Sequence, residues 1–202
     1  MEINEFKVVF LGDSGTGAKT SLINRIVRDV FDESVHATPC ASYAYKIIHT
    51  ELGGITLALL DTPGQIKYRS LAASIIKGAH CIILGYDVIR RKTFESIRDF
   101  WYNFAKEKTE RDNVLIYLVG NKIDLYLYQQ VTDEEGKSLA KDLNMKFFGV
   151  SAKTGEGVDI LLNDIGNSLI KTFMINKIDI NKSKKEDKSD KIKLALNKYL
   201  NY

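Results

Sequence analysis

Residues 12–20, with the sequence GDSGTGAKT, form a glycine-rich segment suited to binding phosphate. Glycines allow the backbone to curl so that successive N–H groups point at an anion. Lys19 can reach the outer phosphates, and the Thr20 hydroxyl is a group that Mg²⁺ accepts. In the pattern GxxxxGK[ST] five residues separate the first glycine from the lysine, whereas here residues 13–18 make six. Either Ala18 is an insertion or the loop is wound differently, and the alternative for the whole segment is a plain strand–helix turn.

Three further short motifs supply groups that suit a guanine nucleotide. Asp61, in DTPG, can hold Mg²⁺ through water, and the Gly64 N–H can approach a terminal phosphate. The Asp124 carboxylate, in NKID, can accept two N–H groups from guanine, a donor pair that adenine lacks. Residues 151–153, SAK, can place a backbone N–H against the guanine carbonyl. Each motif is short, but all four in this order, each after a predicted strand, indicate one nucleotide site.

Short apolar runs alternate with amphipathic stretches around these motifs, which predicts a mostly parallel sheet with helices on both faces. The loops that follow parallel strands converge at one edge of such a sheet. The predicted strands are residues 7–11, 43–50, 55–60, 81–85, 114–119 and 147–150. The predicted helices are residues 19–30, 68–77, 92–108, 133–143 and 158–173. Gly53 and Gly54 are predicted to form the turn of the one antiparallel hairpin.

Composition excludes several classes of protein. The chain has 202 residues, 45% of them hydrophobic, which suits one domain plus a tail and excludes wholesale disorder. A net charge of +3 does not indicate a nucleic-acid binder. Two cysteines cannot form a disulfide framework, so a reducing cytosol is the simpler expectation. The sequence shows no apolar run of membrane-spanning length and no cysteine near the end of the chain that prenylation would use.

From about residue 175 the composition becomes charged, which predicts a flexible tail over residues 175–202. Ile192, Ala195, Leu196 and Tyr199 could share one helical face near the end of this tail. A short helix packing on its own domain is favoured there over a membrane anchor.

The four motifs, as they stand, resemble the G motifs of Ras-superfamily small GTPases. Rab proteins are the most similar branch, because GDSG, KTSLINRI, RSL, KTFESI, LVGNKIDL and SAKTGEGV all read like Rab segments. The interval from Thr20 to Thr38 is 18 residues and that from Thr38 to Asp61 is 23, both as in Rabs. The extra residue therefore lies within residues 12–18. The resemblance implies an α/β fold, a three-layer P-loop NTPase G domain over residues 1–174 with a six-stranded, mostly parallel sheet.

The resemblance also implies site residues. Gln65 would orient the attacking water, Phe31 would cover the guanine, and Mg²⁺ would be held by Thr20 and Thr38, with Asp61 acting through water. The nucleotide would be bound by Gly15, Gly17, Ala18, Lys19, Thr20, Ser21, Phe31, Thr38, Gly64, Asn121, Lys122, Asp124, Ser151, Ala152 and Lys153.

Two functions remain open. One is a monomeric Rab-like switch in vesicle traffic that hydrolyses GTP to GDP slowly, works with an exchange factor, an activating protein and effectors, and is cytoplasmic or peripheral at endomembranes. The other is a nucleotide-binding interaction module that does not cycle, which the extra loop residue favours. Leu60, Ile75 and Ile76 replace aromatic residues that face effectors in Rabs, so the usual Rab effectors are not expected as partners.

Several conspicuous side chains are expected to have ordinary roles. Cys81 is expected in the core, and Trp101 and Phe104 on the core face of a helix. Arg90 and Arg91 are expected to be solvated side chains at the start of a helix and not catalytic arginines.

Overall fold

A computed structural model describes residues 5–33, 42–50, 52–62 and 69–175 of the chain. Within these ranges six strands form one sheet, in the order β2-β3-β1-β4-β5-β6. The strands are β1 (Glu5–Leu11), β2 (Ser42–Thr50), β3 (Gly53–Asp61), β4 (Cys81–Asp87), β5 (Leu115–Asn121) and β6 (Lys146–Val150). The β2–β3 pair is antiparallel and the other neighbouring strands are parallel. The predicted fold class is confirmed.

Helices cover both faces of the sheet. They are α1 (Thr20–Arg28), α2 (Arg69–Ile76), α3 (Arg91–Ser96), α4 (Tyr102–Lys108), α5 (Asp133–Asp142) and α6 (Val158–Leu169). Side chains of α1 and α6 pack into one hydrophobic cluster, and those of α2 to α5 pack into a second cluster on the other side. The described helices include none long and apolar enough to cross a bilayer.

The central strand β1 feeds both clusters because successive side chains of a strand point to opposite faces. Val8 and Phe10 are buried in the first cluster, whereas Val9 and Leu11 are buried in the second. A strand covered on both faces is apolar without alternation, which explains the run KVVFL. Burial on both faces therefore fixes β1, and with it the start of the loop that follows Leu11.

The turn between β2 and β3 differs from the prediction. Thr50 pairs with Gly53 and His49 pairs with Gly54, so both glycines belong to β3 and the turn comes before Gly53. The Thr50 hydroxyl closes the turn by accepting from the Leu52 N–H at 3.2 Å and donating to the Gly53 carbonyl at 3.2 Å. The prediction that Gly53 and Gly54 form the turn is therefore wrong. Gly54 instead leaves room for its cross-strand neighbour, since a Cβ there would lie 3.1 Å from His49 Nδ1.

The helix predicted over residues 92–108 is present, but it contains a wide turn. A π-helical segment, Ile97–Trp101, joins α3 to α4. A second π-helical segment, Ile170–Ile175, extends α6. A short 3₁₀ helix, Ile123–Tyr128, follows β5. Ile175 is the last described residue, and residues 176–202 lie outside the described residues. The predicted boundary between domain and tail at residue 174 therefore stays a prediction.

Candidate nucleotide-binding site

A cleft of about 580 Å³ lies where β1, β3, β5 and β6 end. Eleven predicted nucleotide-binding residues line it: Gly15, Gly17, Lys19, Thr20, Ser21, Phe31, Asn121, Lys122, Asp124, Ala152 and Lys153. Loops that are far apart in sequence meet here because parallel strands present their carboxyl ends at one sheet edge. The position is the one that the strand–helix alternation predicts.

The glycine-rich segment of residues 12–20, predicted to bind phosphate, is called the phosphate-binding loop here. The side chain of Lys19 lies against the backbone of this loop. Its Nζ donates to the carbonyl oxygens of Gly12 at 2.9 Å and Asp13 at 2.6 Å. Burial lowers the pKa of Lys19 to about 8, although the carboxylates of Asp61 and Asp13 oppose this shift. A phosphate in the cleft would compensate this buried cation by charge and by hydrogen bonding.

The extra residue is accommodated by a wider turn at the start of α1. The Leu22 N–H donates to the Gly17 carbonyl at 3.1 Å, which spans one residue more than an α-helical bond. Lys19 has φ −118° and ψ −94°, so regular helix begins at Thr20 and not at the predicted residue 19. Ala18 is fully buried and its amide donates to Thr16 Oγ1 at 3.4 Å. The structure thus keeps Lys19 at the loop but places Ala18 behind it, outside the cleft lining.

Asn121 ties the phosphate-binding loop to the loop after β6. Its Nδ2 donates to the Thr16 carbonyl at 3.1 Å, and its Oδ1 accepts from the Ala152 N–H at 2.9 Å. Gly17 adopts φ +67°, and a Cβ at this position would lie 2.8 Å from Asn121 Nδ2. Only glycine therefore fits this contact, since both the backbone angle and the space exclude a side chain.

Asp124 and Ser151 form the candidate base-recognition pair. The Ser151 hydroxyl donates to Asp124 Oδ1 at 2.6 Å and accepts from the Thr154 N–H at 3.0 Å. This fixes the orientation of the carboxylate at the cleft wall. Arg25 of α1 holds the same loop, with Nε donating to the Ala152 carbonyl at 2.9 Å and Nη2 to the Lys153 carbonyl at 2.6 Å.

Thr20 and Asp61, the predicted magnesium residues within the described ranges, place two hard oxygen atoms side by side. The Thr20 hydroxyl donates to Asp61 Oδ2 at 2.5 Å, and Asp61 is 2% exposed. Mg²⁺ is usually held by one or two protein oxygens together with phosphates and waters. The described residues contain no cluster of three or more His, Cys, Asp or Glu that could enclose a metal. Thr62, next along the chain, donates to the Phe10 carbonyl at 2.6 Å and fixes the end of β3.

The other predicted site residues do not line the cleft or are not described. Ser151 and Asp61 are buried behind the lining, in contact with lining residues. Thr38, Gly64 and Gln65 lie outside the described residues.

Sequence reasoning missed five lining residues: Ser14, Asp32, Glu33, Thr62 and Leu125. Four of them adjoin predicted residues, and Glu33 follows Asp32 in the segment after Phe31, so proximity in sequence was the available signal. Glu33 also forms an ion pair with Lys153 at 2.8 Å, which joins the segment after α1 to the loop after β6. That contact depends on tertiary structure and has no sequence signal.

The sequence profile of the Ras family matches residues 7–171. The match covers most of the chain and all four motifs, and the chain belongs to the Ras family. It is therefore a small GTPase, a GTP-binding switch of the P-loop class. Members of this family bind and hydrolyse GTP, use Mg²⁺, and work with regulators and effectors.

Proposed function

We propose that this chain is a Rab-like switch in vesicle traffic with a slow GTPase activity that partner proteins stimulate. The observation that carries the cycling role is the position of Lys19, whose Nζ remains bonded to the Gly12 carbonyl at 2.9 Å despite the extra residue. The Rab-like segments of the sequence support the trafficking role.

The proposed nucleotide contacts follow from the cleft. Gly15, Gly17 and Lys19 bind the phosphates, and Asp124 accepts from the guanine edge. Thr20 is the proposed magnesium ligand within the described residues, since its hydroxyl faces Asp61. Bound Mg²⁺ supplies charge neutralisation to the phosphates.

Hydrolysis is proposed to proceed by in-line attack of water on the γ-phosphorus. The bond between the γ-phosphorus and the bridging oxygen breaks, and GDP leaves with that oxygen. Gln65 is proposed to orient the water, and Thr38 and Gly64 to contact the phosphate end. Lys19 contributes positive charge from the loop, so the protein acts by positioning and electrostatics.

A second function has one observation in its favour. The Ala18 amide donates to Thr16 Oγ1 and does not face the cleft, which removes one N–H from the phosphate cradle. A weakened cradle favours an interaction module that binds nucleotide weakly, or GDP alone, and does not cycle. Single-turnover phosphate release distinguishes the two functions: the switch releases phosphate and loses that release in Gln65→Leu, whereas the module releases none.

The Asp124→Ala variant tests the nucleotide site. We expect titration calorimetry to show GDP affinity reduced by about 100-fold or more, because a hydrogen-bonded ionic contact to the base is lost. Asp142→Ala is the matched control, because Asp142 is exposed at the end of α5. Unchanged GDP affinity in Asp124→Ala would refute the assignment of the base pocket.

The trafficking role has a separate readout. A fluorescently tagged chain should locate to endomembranes in cells, and Asp124→Ala should become diffuse. A wild-type distribution that is diffuse and insensitive to Asp124→Ala would contradict the Rab-like role and leave the nucleotide site untouched.

A further inference from the structure

Arg90, which precedes α3, lies against the phosphate-binding loop at Ser14 and Gly15. Its Nη2 donates to the Ser14 carbonyl at 3.3 Å. A Cβ built on Gly15 would lie 3.6 Å from both Nη1 and Nη2 of the guanidinium. Ser14 and Gly15 line the cleft, whereas Arg90 does not. The guanidinium therefore contacts two residues that line the cleft without lining it itself.

Asp87 holds Arg90 in this position. The Arg90 Nε donates to Asp87 Oδ2 at 3.0 Å, and the Asp87 side chain is 0% exposed. The same oxygen pairs with Lys122 Nζ at 2.7 Å. Asp87 Oδ1 accepts from the Ile89 N–H at 3.0 Å, so the carboxylate itself is fixed. One buried carboxylate thus joins Arg90, which contacts the phosphate-binding loop, to Lys122, which lines the cleft.

Resting on the nucleotide-binding function, we propose that Arg90 is a positioning residue: anchored on Asp87, it supports the Ser14–Gly15 part of the phosphate-binding loop as a brace. The brace holds backbone N–H groups of this loop in the orientation that a diphosphate needs. The loop has a particular need for such support, because it holds one residue more than the phosphate-binding pattern and Lys19 lies outside the regular helix.

The geometry requires an arginine. The planar guanidinium offers donors in a fixed fork, so Nε bonds to Asp87 while Nη2 bonds to Ser14. A lysine ammonium is a single point of charge at the end of a flexible stem and cannot reproduce both directions. The side chain of Arg90 is 43% exposed, so its replacement leaves the core intact.

The test compares Arg90→Gln with Arg91→Gln. Arg91 is the matched control, because it is the adjacent arginine but pairs with Glu135 at 2.8 Å, away from the phosphate-binding loop. Competition against a fluorescent GDP analogue gives the affinities of GDP and GMP for each variant. We expect Arg90→Gln to weaken GDP binding about three- to tenfold and GMP binding less than twofold, because the brace acts on the cradle of the outer phosphate. Arg91→Gln should leave both affinities at the wild-type level.

Other results would overturn the proposal. Equal GDP affinity in Arg90→Gln and wild type refutes the brace alone, and equal losses for GDP and GMP indicate a general structural effect. Arg90→Lys is expected to resemble Arg90→Gln; a wild-type affinity in Arg90→Lys would show that charge, and not the fork, is what matters. Failure of the wild-type chain to bind GDP at all would instead refute the nucleotide site, and the brace with it.

Discussion

Ala18 shows how a single additional residue is absorbed at the level of side-chain contacts. It is fully buried, and it lies opposite Gly85 in the central strand β4. A Cβ at Gly85 would lie 2.4 Å from the Ala18 Cβ and 3.2 Å from the Ala18 carbonyl oxygen. The Ala18 methyl group fits here because Gly85 has no side chain.

Gly85→Ala should lower the free energy of unfolding by about 1–3 kcal/mol, because the added methyl overpacks this contact. The double variant Ala18→Gly/Gly85→Ala should recover most of the loss, although not all, since the Ala18 carbonyl remains close. Urea unfolding monitored by circular dichroism provides the measurement. A double variant no more stable than Gly85→Ala would show that the two residues do not compete for the same space.

The spacing from Thr20 onwards resembles that of Rabs, and it predicts that the extra residue lies within residues 12–18. The sequence was not sufficient to show which way the residue faces. That depends on Gly85, about 70 residues further along the chain, and on the five-residue span from Gly17 to Leu22. Side-chain placement across a sheet is a tertiary property, and a pattern within one loop cannot encode it.

At the scale of elements, the wide turn between α3 and α4 includes Trp101, which connects this helix to the phosphate-binding loop. Trp101 is 3% exposed and packs among Ile97, Phe100 and Phe104, as its expected place on the core face requires. In addition, its Nε1 donates to Asp13 Oδ1 at 2.9 Å. The periodicity of apolar residues predicted the helix, but nothing in it indicates the wide turn or this bond.

Asp13→Ala should destabilise the fold by about 1–3 kcal/mol, since it leaves a buried indole N–H without its acceptor. Asp13→Asn is the matched control, because the amide oxygen can still accept the bond. Denaturant midpoints of the two variants and wild type give the comparison. Equal destabilisation in both variants would mean that the charge of Asp13, and not its bond to Trp101, stabilises the loop.

The three residues that replace effector-facing aromatic residues in the Rab resemblance are buried. Ile75 and Ile76 are 7% and 0% exposed, and Leu60 at the end of β3 is 1% exposed. The three side chains belong to the core cluster beneath α2 and offer no surface to a partner. Exposed apolar side chains occur instead along the edge strand β2, where Tyr43, Tyr45 and Ile47 are more than half exposed.

At the scale of the whole molecule, two clusters sandwich the sheet and make its central strands the most protected part. Cys81, at the start of β4, is 0% exposed, and burial raises the pKa of its thiol. Its predicted place in the core is correct. An inert, protonated thiol in this position can react only when the sheet opens.

In a Cys40→Ser variant, Cys81 should therefore react with a thiol reagent only at the rate of global opening. Saturating GDP should slow this reaction, because a ligand that binds only the folded state reduces the open population. The measurement is the rate of labelling by Ellman's reagent with and without GDP. Rapid labelling of the folded protein would show that β4 is exposed by a local motion.

The bond between Trp101 and Asp13 has a practical consequence for the study of this GTPase. Trp101 is the only tryptophan of the chain. Its indole contacts the phosphate-binding loop through Asp13, so we expect its fluorescence to respond to a change of this loop on nucleotide binding. The protein thus carries a built-in optical probe, with which loading and release of the ligand can be timed without a dye.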